Sequence, residues 1–288
     1  MGRQARRQQP KARRSPLHDI AIITAVNTTY LPYLAVQLSS ANENAAPTTC
    51  FDMTILHTDV IEADRFQLSA LVDSRHRVRW FEFNTDLVTR LGAPPELAEC
   101  NSYYLSLLGP YILADRDRAI YLDADVLVLG DLAPLWNEPL DGKATGAVRD
   151  LRATFEEADS YYQELGLPGN TPYFNAGMFL MDLEQWRDTN IPGETWGYAQ
   201  RHPTGITATS PHGFNQWDQY SYNLTMIGRW KELSFHWNYS SERPMPPDLP
   251  TVVHFLGKGK PGSPTCRDEF TARFFEVLSR TPFRNWRP

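Results

Sequence analysis

The sequence predicts an α/β fold, with a mostly parallel, twisted sheet covered by helices on both faces. Two observations lead there. Short β-rich runs alternate with runs of helical spacing along the first half of the chain, and successive strand–helix units imply right-handed crossovers that place helices on both sides of one sheet. The chain of 288 residues is 42% hydrophobic and 22% charged, which is enough to bury a substantial core and too apolar for a disordered chain.

The elements follow in order. "DIAIITA" (Asp19 to Ala25) is a β-rich run, and "YLPYLAVQLSSANEN" has helical spacing. "FDMTILHTD" (Phe51 to Asp59) is a second strand and "EADRFQLSALVDS" a second helix, while "VRWFEFN" (Val78 to Asn84) alternates as a strand. A helical segment from Ser102 to Ala114 leads into "RAIYLDADVLVLG" (Arg118 to Gly130). Beyond Gly130, "ATGAVRD" and "YFNAGMFLMDL" read as strands, and Arg152–Leu165 and Asn215–Leu224 as helices. "SERPMPPDLP" (Ser241 to Pro250) is a proline-rich loop, "TVVHFLG" a last strand and "CRDEFTARFFEVLSR" an amphipathic closing helix. No internal repeat is evident. The expected organisation is a basic, solvated arm over residues 1–17 and one α/β domain over 18–288, with a nucleotide-fold half (18–130) and a more irregular half (131–288) that completes the site.

Charge narrows the function. A net charge of −6 argues against a general nucleic-acid binder. Arg3, Arg6, Arg7, Lys11, Arg13 and Arg14 crowd the N-terminus without the apolar core of a signal peptide. That arm reads as a solvated tail, with a weak peripheral contact to anionic lipid as the alternative. No run approaches the ~18–20 apolar residues that span a bilayer. Cys50, Cys100 and Cys266 are widely spaced, with no CxxC, and read as reduced structural thiols of a cytoplasmic protein, possible contact with the inner membrane face aside. The C-terminal "RTPFRNWRP" reads as a packed tail.

The chemistry concentrates in Arg118–Gly130. Asp123 and Asp125 interrupt a greasy run, and carboxylates beside a buried strand need compensation. Side chains two apart on extended backbone face the same way, so both can converge on one hard cation, magnesium or manganese, of the kind that bridges diphosphate oxygens. They fall at the carboxyl end of a strand, where open sheets bind ligands. A DxD triplet alone is a weak signal: Asp115 and Asp117 form another in "ADRDR", which reads as a solvated turn. "AIYL" before and "VLVL" after distinguish the pair at Asp123.

The chain resembles the retaining glycosyltransferases of family eight, the group that includes bacterial lipopolysaccharide galactosyltransferases and glycogenin. The segments that carry the likeness are "NTTYLPYLAVQLSS", "YLDADVLVLGDLAPLW", "YFNAGMFLMDLEQW", "WDQYSYN" and "VVHFLGKGKPG", in the family's order from Asn27 to Gly262. The resemblance implies a GT-A nucleotide-diphospho-sugar transferase fold and manganese (or magnesium) on Asp123, Asp125 and His254. It implies a UDP-sugar held by Ala25, Val26, Asn27, Tyr30, Ala124, Gly257 and Lys260, with Tyr30 stacked on the base. Gly257 permits close backbone approach, and Lys260 can neutralise a leaving diphosphate as a point charge. Lys258 reads as an ordinary solvated lysine.

At the sugar end the matching positions are Asp150, Asn175, Asp218 and Gln219. Asp150 ends its strand within reach of sugar hydroxyls, and Ala176 and Gly177 leave room beside Asn175. An amide oxygen is a poor nucleophile, so Gln219 is expected to stabilise positive charge during same-face substitution; a covalent intermediate at Gln219 or Asp218 is the alternative. Three departures stand out. "NTTY" replaces the usual "DDNY", Leu105 occupies the position of an Arg or Lys that contacts sugar and phosphate, with Arg116 or Arg149 as substitutes, and Gly262 stands where Trp is usual. Two further functions compete: a metal-dependent nucleotidyltransferase or sugar-nucleotide hydrolase, which lacks support from a glycine-rich basic loop after "AIITA", and a UDP-sugar or glycan binder without turnover. The acceptor, whether glycan, lipid-linked sugar, natural product or protein, is not legible. Trp196, Tyr198, Trp217, Trp237 and Tyr239 read as core aromatics or a stacking platform.

Overall fold

The computed structural model describes residues 19–99, 102–158, 162–201 and 217–288. The basic arm, Cys100 and the side chain of Trp217 lie outside the described residues. Strand β1 (Asp19–Val26) passes into helix α1 (Leu31–Asn44), whose first turn carries Pro32, where the missing N–H costs nothing. β2 (Cys50–His57), α2 (Glu62–Ser69) and β3 (Arg77–Glu82) follow. β1, β2 and β3 pair in parallel, and β2 is buried along its whole length, as a strand covered on both faces must be.

After α3 (Thr85–Leu91), the chain returns to the other side of β1 as β4 (Arg118–Leu122), again parallel. That reversal makes the β1/β4 boundary the switch point of the sheet, and the crevice beyond the carboxyl ends of its strands is where ligands bind in such folds. β6 (Thr145–Thr154), β7 (Pro172–Asp182) and β8 (Trp230–Glu232) complete a seven-stranded sheet of order β3-β2-β1-β4-β7-β6-β8, with β7 antiparallel to both neighbours. The sheet is therefore mixed in its second half.

A second, three-stranded sheet was not legible in the sequence. β5 (Val126–Val128) leaves the DxD turn and pairs antiparallel with β10 (Val252–His254), which pairs in parallel with β9 (Tyr239–Ser240). Buried Ser40 and half-buried Asn44 of α1 hold β5: Ser40 Oγ accepts from Val128 N–H at 3.0 Å and Asn44 Nδ2 donates to Val128 O at 3.1 Å. α10 (Asp268–Leu278) packs Phe270 and Phe274 beneath this sheet. The C-terminal tail packs there as expected, with Trp286 edge-on to Tyr33 at 5.0 Å.

Two expected helices are shorter than their patterns. Residues 102–108 form a 3-10 turn before α4 (Gly109–Ile112), where Pro110 restarts the ladder. The expected helix over Arg152–Leu165 is instead the end of β6, held by pairing of Thr154 with Pro172, then α6 (Phe155–Ala158) and a 3-10 turn at 162–165. Pairing across the sheet overrides the helical spacing there. No helix among the described residues is long and apolar enough to cross a membrane. Cys50 and Cys266 are buried free thiols.

Two buried histidines give the fold a pH dependence. His57 Nδ1 accepts from Val60 N–H at 3.3 Å and His76 Nδ1 from Phe51 N–H at 3.0 Å. Each ring therefore carries its proton on Nε2, which has no hydrogen-bond partner among the described residues. Burial lowers both pKa values below the usual 6.5, and Arg65 and Arg75 respectively add to it. Below pH 6.5 the unfolded chain takes up these protons first, so stability falls with pH, by at most about 1.4 kcal/mol per pH unit for each histidine. The urea midpoint is expected to drop between pH 6.5 and 5, and to drop less steeply in a His57→Gln/His76→Gln double variant. An unchanged slope would remove these two groups as its source.

Candidate active site

A cavity of about 500 Å³ opens at the β1/β4 switch point. The residues that the resemblance assigns to metal, nucleotide and sugar all line it: Ala25, Val26, Asn27 and Tyr30 from the end of β1 and the turn after it, Asp123, Ala124 and Asp125 from the turn after β4, Asp150 from β6 and Asn175 from β7. Asp218 and Gln219 enter from α9 (Trp217–Thr225), and His254, Gly257 and Lys260 from β10 and the loop after it. Tyr103, Tyr121, Leu151, Arg152, Glu242 and Leu256 line it as well. Lys258 does too, so it is not the bystander its sequence context suggests.

The second sheet brings the distant histidine to the acidic pair. β10 registers His254 against Val126, and Phe255 N–H donates to the Asp125 carbonyl at 3.0 Å. His254 Nε2 then stands 3.2 Å from Asp125 Oδ1 and 3.6 Å from Asp123 Oδ2, with one ligand atom from each of the three residues within 4.8 Å of the others. Tyr121 fixes Asp123 by donating its hydroxyl to Oδ1 at 2.6 Å. Lys260 Nζ bonds Asp125 Oδ2 and lies 5.3 Å from the Tyr30 ring centroid.

Electrostatics follow from this crowding. Burial and then the Asp125 charge push the Asp123 carboxyl up. Burial would raise Asp125 too, but Lys260 and His254 outweigh it and hold that carboxyl well below its usual range. Burial alone would depress His254, yet Asp125 and then Asp123 draw its pKa upward. Two carboxylates and an imidazole nitrogen facing one point are a donor set that suits manganese, and a cation there relieves the repulsion within the pair.

At the other end of the cavity, the buried polar groups satisfy one another. Asn175 Nδ2 donates to Asp150 Oδ2 at 3.0 Å and to Gln219 Oε1 at 3.1 Å. Gln219 Oε1 also accepts from Ala176 N–H at 3.1 Å, and Gln219 Nε2 donates to Asp150 Oδ2 at 3.1 Å. Both lone pairs of the Gln219 oxygen are thus engaged within the protein. Asn223, one turn along α9, clamps the Phe174 backbone with bonds of 2.8 and 2.9 Å and so fixes this face of the helix against β7. Burial, then the nearby Asp123 charge, pushes Asp218 up to about 7.

Several expectations need correction. Leu105 is fully buried in the core, while Arg116 bonds Asp52 Oδ2 at 2.8 Å and Arg149 bonds Glu232 Oε2 at 2.8 Å, and neither arginine is among the residues that line the cavity. Arg152 is the guanidinium that lines the cavity, with Nε 3.7 Å from Asp150 Oδ1. The room beside Gly177 is not open space: an added Cβ would stand 2.1 Å from His254 Cε1. Asn27 Oδ1 accepts from Thr29 N–H at 3.1 Å, and the carboxylate nearest this turn is Asp59, bonded to Thr28 N–H at 3.0 Å. Trp196, Trp237 and Tyr239 are buried in core clusters, and Tyr198 packs against another. They form no platform.

This architecture is that of the GT-A glycosyltransferases. The solved galactosyltransferase LgtC, in complex with donor and acceptor sugar analogues, superposes with a TM-score of 0.70 at 25% identity, over 91% of this chain and 96% of that one. The apo WbbM bifunctional glycosyltransferase gives 0.73 at 18% identity, over 96% of this chain and 52% of that one. The chain belongs to glycosyl transferase family 8, whose model matches residues 21–264. General stress protein A of Bacillus subtilis (strain 168) is 24% identical over 226 residues, 71% of this chain and 73% of that protein. Probable galacturonosyltransferase-like 9 of Arabidopsis thaliana is 26% identical over 271 residues, 84% of this chain and 67% of that protein.

Proposed function

We propose that this glycosyltransferase is manganese-dependent and retaining, and moves a hexose-type sugar from a UDP-sugar to the hydroxyl of a glycan-type acceptor. The convergence of Asp123, Asp125 and His254 at the switch point, with Lys260 beside them, carries the reading. We assign residues 18–130 to the nucleotide half and 131–288 to the sugar half of one catalytic unit. Ala25, Val26 and Asn27 meet the base, Tyr30 stacks on it, and Gly257 lets the backbone approach the diphosphate. Asp123, Asp125 and His254 would hold manganese, which when bound screens diphosphate charge as a Lewis acid.

Lys260 neutralises the departing β-phosphate. As the anomeric C–O bond to UDP breaks, the acceptor oxygen bonds to the same face, and the acceptor proton passes to the leaving phosphate. Asp150 and Arg152 hold sugar hydroxyls. Asn175 stays within the protein network and acts by orienting Asp150 and Gln219. The engaged oxygen of Gln219 disfavours covalent attack, as does the burial that raises the Asp218 pKa to about 7, which leaves only about half of that carboxyl ionised at neutral pH. Both support same-face substitution. Asn27 and Thr28, which stand where two carboxylates are usual, favour a second reading, a UDP-sugar binder without turnover.

Thermal-shift titration combined with a UDP-release assay separates these. Manganese and UDP together, at 100-fold the dissociation constant, are expected to raise the midpoint by roughly 5–10 °C, and UDP alone by far less. A manganese-independent shift would sink the metal assignment, and a full shift with no UDP release from any donor and acceptor would favour the binder.

A further inference from the structure

Asn238, between β8 and β9, lies outside the cavity lining, and no sequence motif marks it. Its side chain is nonetheless buried against the site, with 6% exposure. Its orientation follows from a backbone donor whose identity is fixed. Gly177 N–H donates to Asn175 Oδ1 at 3.0 Å, so that end of Asn175 is the oxygen. Asn238 Nδ2 donates to this same oxygen at 2.8 Å, which leaves Asn238 Oδ1 as the atom 3.1 Å from His254 Nδ1. Asn175 Oδ1 is also 3.1 Å from His254 Nδ1. Two amide oxygens can only accept, so Nδ1 carries the hydrogen and Nε2 is the nitrogen turned to Asp123 and Asp125.

We propose that Asn238 is a positioning residue that, together with Asn175, fixes the tautomer and ring plane of His254 so that its Nε2 lone pair is presented to a divalent cation between the two aspartates. Without Asn238 the ring would rest on the Asn175 oxygen alone, which Gly177 N–H also engages. Asn238 gives the imidazole a second acceptor and clamps Asn175 from behind. Groups that orient a ligating imidazole in this way commonly govern metal affinity by 10–100-fold. The inference rests on the metal-dependent reading above.

The test is Mn²⁺ binding to the full chain without nucleotide, followed by the EPR signal of the free ion. Asn238→Ala is expected to weaken binding 10–100-fold and to raise the Mn²⁺ requirement for turnover equally, with kcat at saturating Mn²⁺ within about 3-fold of wild type. Asn238→Asp keeps an acceptor on Nδ1 but loses the Nδ2 donor to Asn175 Oδ1, and is expected to weaken Mn²⁺ binding by less than the alanine variant does. It also serves as the folded control should the alanine variant lose its cooperative melt. Unchanged Mn²⁺ affinity in the alanine variant, or equal weakening in both variants, overturns the role of Asn238 while leaving the metal site standing. No Mn²⁺ uptake by the wild-type chain overturns both.

Discussion

Asp125→Ala is expected to abolish sugar transfer while leaving the fold intact. Asp125 is the point at which the site's charges meet: Oδ1 faces His254 Nε2 at 3.2 Å, and Oδ2 bonds Lys260 Nζ. Alanine removes one of the three proposed metal ligands together with the group that aligns Lys260. A Lewis acid supplies several kcal/mol of charge stabilisation, so losing about 4 kcal/mol corresponds to roughly 10³-fold in rate. Breaking a buried ion pair can cost 3–5 kcal/mol in stability when it strands a charge. Here the stranded partner is Lys260, whose side chain is 25% exposed and can regain water, and Asp123 loses the like charge that raised its pKa. The backbone bond from Phe255 N–H to Asp125 O survives the substitution, so the second sheet keeps its register. The metal-free melting midpoint should move by a few degrees only, roughly the effect of 1 kcal/mol in a chain of this size, while the manganese-linked rise with UDP disappears. Turnover within tenfold of wild type would remove Asp125 from the site.

How much of this could be read from the chain depends on the range of the interaction concerned. β1 and β2 announce themselves because a strand covered on both faces is largely apolar along its length, and β3, at the sheet edge, by its alternation; Asp123 and Asp125 stand out against the apolar run around them. His254 was reachable through its motif, but the reason it arrives at the acidic pair was not. β10 lies within the run "TVVHFLG" that reads as a strand, but three-residue β5 is too short to register as a strand of its own, and their antiparallel pairing joins positions more than a hundred residues apart. Arg152 was hidden for a related reason: its stretch has helical spacing, yet pairing with β7 extends it as a strand and turns the guanidinium toward the cavity. Leu105, read as a lost cation, is simply a core leucine in the structure. Asn238 belongs to a class that sequence seldom betrays, since a polar side chain that acts through another residue needs no motif of its own.

Gly177→Ala is the sharpest test of how tightly that centre is built. Gly177 lies where β7 slips against β6: Ala147 pairs with Phe179 but Val148 with Asn175, so the intervening residues bulge toward the site. An alanine Cβ there would stand 2.1 Å from His254 Cε1, 2.5 Å from Nδ1 and 3.0 Å from Asp123 Oδ2. Gly177 is not among the residues with positive φ, so the obstacle is space alone. The strand cannot easily retreat, because Gly177 O accepts from Asp123 N–H at 2.9 Å and retreat would carry Asp123 with it. The imidazole must swing instead, and that breaks both of its bonds to amide oxygens. Overpacking of this kind costs about 1–3 kcal/mol of stability. A displacement near 1 Å at a reacting centre costs about 10²-fold in rate, and the loss of manganese affinity adds to it. Because the clash is with one ring, the effect is expected to be non-additive: in a His254→Ala background, where the space is empty, Gly177→Ala should cost almost no stability. Chemical denaturation of the four proteins of that cycle measures the coupling directly. An additive cycle, or a Gly177→Ala enzyme with wild-type manganese affinity, would mean that the imidazole does not occupy the hollow over β7, and the ligand set would have to be redrawn around the two aspartates alone.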